Sequence, residues 1–436
     1  MNTSHSLALF GGTPVRTQPL PQYNTIGEAE TRAALAVLKT RNLSGFQGTY
    51  DERFFGGPFV RTFEKEFEQR FKIKYAISFN SATTALQAAL DACGIVPGDE
   101  VITTPISMSA TSMSILLNGA IPIFADIDSR TFNIDPVSVE KLITKKTRAI
   151  LSVNLFGGPC DFEALKKIAR KHKIILIDDN AQGIGGTYKK RPLGTLADIG
   201  IFSFNMNKVI QSGEGGVMVT NNKQFAFRAQ LIRNHGENAS TQIYKKTGRF
   251  EPVAGNNYRM TEVNAAIGHI QLKRMDTIVG ARLKLFEYLS KSLKKFDWLR
   301  TPYTLRNSTH AYFLYPLIFD TTRAGISREM FVKAMKAENV PVSGGYVPPL
   351  YLLPLFQKRR IHERSNFPFN LASRGVSYHK GLCPVAERIH EKEILILNII
   401  HHAPRTKKDI DSIVKAVRKV DAHLVELKKY EQKARA

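Results

Sequence analysis

At 436 residues the chain exceeds what one hydrophobic core comfortably fills, so two domains are expected. Its 43% hydrophobic and 23% charged make-up is that of a globular protein, and no apolar run approaches a membrane span. The net charge of +24 is spread widely and stands beside no nucleic-acid-binding motif, so it reads as a solvated basic surface that steers anions rather than a polyanion site.

Residues 7–21 are rich in glycine and proline and are expected as part of an extended arm over residues 1–25. The start of the chain lacks the basic opening and apolar length of a signal peptide. Cys93, Cys160 and Cys383 show no metal-ligand spacing and cannot pair evenly, which implies reduced thiols, no metal and a cytoplasmic setting. Ala29, Ala33 and Val37 predict a helix over 27–40. Residues 42–58 are looser, and their aromatics (Phe46, Tyr50, Phe54, Phe55) either line a substrate mouth or simply pack. Phe63, Phe67 and Phe71 share one face of a helix predicted over 59–71.

A strand at 75–79 runs into Ser81-Ala82-Thr83-Thr84, which opens a helix through residue 93. Such a start offers free backbone amides: either an anion site or plain N-capping. Residues 98–102 lead into a second strand, followed by a loop carrying Met108, and a third strand covers 121–126. A helix at 137–143, a strand at 149–155 and a helix at 161–171 continue the alternation, which indicates βαβ units and a largely parallel sheet. Beyond a helix at 223–233, the turn histidine His235 receives no role, and the polar residues 237–256 are expected as an exposed loop. The helix that follows holds Ala265, Ile267 and Leu272 and runs past Val279 towards Leu293, where the bridge to a second α/β domain falls. That domain has a strand at 312–319, a helix at 328–338, a proline-rich loop at 347–355 and a closing amphipathic helix at 408–427. The expected boundaries are 1–25 for the arm, 26–278 for a large domain and 279–436 for a small one.

The stretch 174–220 organises the rest. One apolar run, 174–177, ends in Asp178 and Asp179; a second, 199–204, ends in Asn205, with Lys208 beyond; a third, 217–219, follows Gly213-Glu214-Gly215-Gly216. Short β-branched runs between turn residues read as buried strands, and in an open α/β sheet their carboxyl ends face the ligand crevice. An acid and an amine are thereby carried to one site. The pair suits pyridoxal phosphate: a lysine holds the aldehyde as a Schiff base, and a carboxylate keeps the ring nitrogen protonated. Taken singly, each has a plainer reading, a solvated loop lysine and a strand-end acid capping the next helix.

The run Asp178-Asp179-Asn180-Ala181-Gln182, then Ser203-Phe204 with Lys208, then Gly213-Glu214-Gly215-Gly216, resembles the DegT/DnrJ/EryC1/StrS family of sugar aminotransferases. The likeness extends over nearly the whole chain. It implies the fold of type I pyridoxal phosphate enzymes: a large domain with a mainly parallel mixed sheet between helices, plus a smaller C-terminal α/β domain. On that match Lys208 is the internal aldimine lysine and acid–base, Asp179 the pyridinium partner, and Gln182 the neighbour of the ring hydroxyl. Ser203, the Ala82 backbone amide and the Thr83 hydroxyl hold the cofactor phosphate. Met108 falls where many relatives stack an aromatic ring on the pyridine; a thioether can lie there too, or be a core methionine. Asn257, within Asn257-Tyr258-Arg259-Met260, matches an asparagine that reaches the neighbouring subunit's cofactor phosphate, which implies a homodimer with shared active sites. Asn180 departs from the family's usual alanine.

The implied activity moves an amino group from glutamate or glutamine to a nucleotide-linked keto-sugar or a cyclitol ketone. The opening at residues 7–21 resembles the branch with scyllo-inosose aminotransferases and aminohydroxybenzoate synthases. Sugar dehydratases of the family carry histidine in place of the lysine, and Lys208 argues against that activity. A catalytically silent regulatory or polyanion-binding relative is the remaining alternative.

Overall fold

The computed structural model describes residues 6–373 and 375–435. The first five residues of the expected arm lie outside them. The main sheet takes β1 (Tyr75–Phe79), β2 (Glu100–Thr103), β3 (Ile121–Phe124), β4 (Thr147–Val153) and β5 (Ile175–Asp179). A short hairpin, β6 (Thr187–Tyr188) and β7 (Arg191–Pro192), precedes its last strands, β8 (Ile199–Ser203) and β9 (Gly216–Thr220). Their order is β1-β9-β8-β5-β4-β2-β3, and β9 alone runs against the other six.

The near-continuous apolar character of these strands follows from helices covering both faces. Ile77, Ile177, Ile201 and Met218 point to one side, where Leu86, Ala89 and Ala229 pack. Phe202, Val217 and Val219 point to the other, against Phe63, Phe67 and Phe71 of the helix Pro58–Phe71. Capping sets the helix starts. Asp161 accepts from Ala164 N ahead of Phe162–His172, and Ser81 accepts from Thr84 N ahead of Ala82–Ala92.

A second, antiparallel sheet is ordered β10 (Leu299–Arg300), β11 (Tyr315–Phe319), β13 (Ile394–Leu397), β12 (Val342–Gly344). The helix Met275–Leu293 joins the two layers: Met275 and Val279 pack with the first, Phe286, Leu289 and Leu293 with the second. The N-terminal segment is pinned. Leu7 and Leu20 are buried, and the Ala8 and Val15 amides both donate to the Glu338 carboxylate at 2.8 Å. Among the described residues no helix is long and apolar enough to cross a membrane.

Several expectations are changed or settled. The helix expected to run unbroken past Val279 to Leu293 is two, Glu262–Lys273 and Met275–Leu293, which meet at Arg274. Residues 236–247, expected within or beside a loop, form the helix Gly236–Thr247. Its composition is polar, but Ala239 is buried against Phe54 and Leu231, Lys245 and Lys246 sit in its last turn, and Gly248 ends it in the left-handed region. The aromatics of 42–58 mainly pack: Phe54 is buried, and Phe46 lies under the Arg233 guanidinium at 4.7 Å. The closing helix is two, Lys407–Asp421 and Leu424–Arg435.

Candidate active site

The carboxyl ends of β5 and β8 lie side by side, since Asp179 pairs with Ile201 and the Asn180 amide donates to the Ile201 carbonyl at 2.9 Å. Asp179 is 4% exposed. Its Oδ2 accepts from the Thr111 hydroxyl at 3.0 Å and its Oδ1 from the Ala181 amide at 3.1 Å. Burial pushes this carboxyl above its ordinary range, against those two donors and the Lys208 charge.

Lys208 follows β8. It keeps part of its surface exposed, yet burial of the amine pushes its pKa down to about 8, with Asp179 opposing. Its Nζ stands 4.5 Å from the centroid of the Phe313 ring. The Asp179 and Lys208 charges lie near enough for each to favour the other's charged form. Gln182 is buried in the same neighbourhood, its Oε1 accepting from the Phe156 amide at 2.8 Å. Burial raises the Tyr346 phenol, while Gln182 lowers it and Asp179 raises it further.

The second half of the site grows from the sheet register. Phe79 and Ser203 both pair with Gly216, so the start of the helix Ala82–Ala92 meets the end of β8. A Cβ on Gly216 would lie 2.4 Å from the Ser81 carbonyl and 2.5 Å from the Ala82 amide nitrogen. Only glycine allows that approach. The first amides of the helix, those of Ala82 and Thr83, have no carbonyl to bond within it. Thr83 is exposed, and Ser203 is buried at the strand end beside them. Free amides at a helix start beside a buried hydroxyl are the donors that an anion such as a phosphate takes.

The remaining candidates stand further out. Met108 is 60% exposed in the loop after β2, so it is no core methionine. Asn257 is exposed, pairs with Asn234 in a single bridge, and accepts from Asn80 Nδ2 through its carbonyl at 3.5 Å, just ahead of the cradle. Asp178 points away from Asp179, taking the Gly194 amide at 2.9 Å and Asn154 Nδ2 at 2.7 Å, and burial raises it to about 8. Asn180 accepts the second Asn154 hydrogen at 2.8 Å, while its own buried Nδ2 has no partner.

Thr111, Phe313 and Tyr346 received no role in the sequence reading. Thr111 follows the loop that carries Met108, but nothing local tells a hydroxyl aimed at a strand end from one that caps a helix. Phe313 and Tyr346 come from the second layer, and only tertiary folding brings them here.

An acid for a ring nitrogen, an amine for an aldehyde and an amide cradle for a phosphate fit pyridoxal phosphate, and on this sheet they define a pyridoxal phosphate enzyme of fold type I. The chain belongs to the DegT/DnrJ/EryC1/StrS aminotransferase family, whose model matches residues 49–379. It is 33% identical to the GDP-perosamine synthase of Caulobacter vibrioides over 369 residues, 84% of this chain and 90% of that one. It is 32% identical to a putative L-glutamine:3-amino-2,3-dideoxy-scyllo-inosose aminotransferase of Micromonospora echinospora, over 98% of this chain and 99% of that one. The crystal structure of DesI with its TDP-sugar product superposes with a TM-score of 0.79 at 26% identity, over 99% of this chain and 100% of that one. The protein is an aminotransferase that works with pyridoxal 5'-phosphate.

Proposed function

We propose that the enzyme transfers the amino group of glutamate or glutamine to a nucleotide-linked keto-sugar or a cyclitol ketone, with Lys208 as the residue that holds the cofactor and moves the proton. The observation that carries this reading is the placement of Asp179 at the carboxyl end of β5 and of Lys208 just beyond the neighbouring β8, with the Thr111 hydroxyl on the first and the Phe313 ring by the second. When bound, pyridoxal phosphate supplies the electron sink for carbanion chemistry at the donor's α-carbon. Asp179, fixed by Thr111 and the Ala181 amide, holds a proton on the ring nitrogen. With its pKa brought down to about 8, the Lys208 amine is neutral often enough near neutral pH to take the donor's α-proton and return it elsewhere. The Ala82 amide, the Thr83 hydroxyl and Ser203 hold the phosphate, Gln182 meets the ring hydroxyl, and Met108 covers a ring face.

The relatives named above act on sugars and a cyclitol, which supports both ketone classes. Asn257 of a second copy completes each phosphate cradle in a homodimer. Residues 26–278 form the cofactor-binding domain and residues 279–436 the smaller one, with the arm over residues 1–25. The three cysteines are free thiols, in keeping with a cytoplasmic enzyme. The test is a pair of half-reactions. Glutamate or glutamine bleaches the near-visible band of the loaded enzyme, and one member of a panel of nucleotide keto-sugars and inososes restores it. A band that no amino donor changes overturns the proposal.

A further inference from the structure

A strained turn lies beneath the Lys208 amine. Tyr312 has φ +50°, a left-handed conformation that bulky residues seldom adopt, so the surroundings must hold it there. Arg282 donates from Nε to the Tyr312 carbonyl at 2.8 Å and from Nη2 to the Phe313 carbonyl at 3.1 Å. The Tyr312 amide donates to His310 Nδ1 at 2.9 Å, and the two rings stack at 4.5 Å. Burial, then the Arg282 charge, pushes His310 down to about 3, which keeps that nitrogen an acceptor.

Arg282 is 7% exposed and makes no ion pair with a carboxylate among the described residues. Among the described residues its guanidinium donates to the two carbonyls and lies over the faces of Tyr23 at 5.3 Å and Phe286 at 5.4 Å. A buried guanidinium without a carboxylate is a costly packing element, so its contacts matter more than its bulk. Those contacts converge on Lys208 from two sides. Arg282 fixes the backbone that presents Phe313, whose ring centroid is 4.5 Å from the amine. It also lies against the Tyr23 ring, and the Tyr23 hydroxyl donates to the carbonyl of Val209, next in the chain to Lys208.

We infer that the Phe313 ring is a seat for the Lys208 ammonium, and that Arg282 is the positioning residue that builds it by clamping the Tyr312–Phe313 turn. The inference rests on the reading of Lys208 as the cofactor lysine. A cation over an aromatic face is attracted by the ring quadrupole. A free four-carbon side chain otherwise has many rotamers, so the seat keeps the amine near one place whenever it is not bonded to the cofactor. The titratable and charged groups around it are Asp179 from β5, Tyr346 beyond Gln182, Tyr23 behind Val209, and Arg282 with His310 behind Phe313. Of these, Asp179 is the charge that acts on the amine.

The test uses cofactor-free full-length protein with lysine isotopically labelled at Cε, the Lys208 signal being assigned with Lys208→Arg. In the wild type the Lys208 signal is moved upfield by the ring and titrates near 8. Phe313→Leu removes the upfield displacement and lowers the midpoint by about half a pH unit, because the ring favours the charged form. Phe313→Tyr keeps both features. Arg282→Met reproduces the Phe313→Leu result although the ring is still present. A wild-type signal at the ordinary lysine position, or a midpoint unchanged or raised in Phe313→Leu, overturns the seat. A wild-type spectrum in Arg282→Met overturns the clamp. Borohydride trapping of the loaded enzyme on another lysine would sink the cofactor reading and leave these spectra standing.

Discussion

Gly216 lies directly against Ala82: a methyl group on the glycine would come within 2.5 Å of the alanine's amide nitrogen. The strand that crosses the sheet in reverse and the helix that offers its amides are in backbone contact, so the helix start has no slack against β9.

Gly216→Ala must therefore push the helix start away from β9. The expected cost is about 1–3 kcal/mol of stability, as for other overpacking changes. Equilibrium dialysis with pyridoxal phosphate should show a larger loss of affinity than Gly280→Ala, a helix glycine with open space around it. Equal affinities would remove the cradle from this place.

Lys208→Ala is expected to abolish amino transfer and covalent trapping of the cofactor while the circular dichroism spectrum stays native. Asp179→Asn should still bind cofactor but turn over roughly 10²-fold slower or worse, because an amide no longer stabilises charge on the ring nitrogen. Single-turnover rates with the amino donor measure both, and near-normal rates in either variant would refute its role.

Stability should follow pH in a way that identifies the lysine. In the folded protein Lys208 titrates at about 8 instead of 10.5, so the folded state binds fewer protons between those values. Its contribution to stability is therefore present above the ordinary value and is lost as the pH falls through about 8. Asp178, raised from 3.8 to about 8, acts in a lower window: its contribution is present in acid and lost as the pH rises through its folded value. Urea unfolding of cofactor-free protein should show wild type gaining on Lys208→Met between pH 8 and 10.5. A constant difference across that range would contradict a depressed amine.

Asn257 provides the test of a shared site. Hybrids of Lys208→Ala and Asn257→Ala protomers should contain one site with both lesions and one with neither. Mixing the two inactive or weakened proteins should therefore restore up to half of the wild-type activity per hybrid dimer. Failure to complement in verified hybrids would place Asn257 in its own subunit's site.

The sheet was readable in the sequence because its strands are buried on both faces: β1 falls where predicted, and β5, β8 and β9 fall within two residues of the apolar runs. The same pattern singled out Asp179, at the end of one apolar run, and Lys208, shortly beyond another, as candidates, and the structure sets those two strand ends side by side. Gly236–Thr247 was not, because its helix is decided by the burial of Ala239 beneath Phe54, a contact made nearly two hundred residues apart in sequence. Phe313 escaped notice because a turn with Tyr312 at positive φ depends on Arg282, thirty residues earlier, and has no local signature. The predicted strand over 312–319 starts at Tyr315 instead, since that same turn precedes it.

The N-terminal segment hangs from Glu338 through Ala8 and Val15 and reaches Val209 through Tyr23. It is a tie bar between the antiparallel layer and the residue beside Lys208. The leading edge of the chain thereby stitches the antiparallel layer to the loop beyond β8, with no group of its own in the crevice.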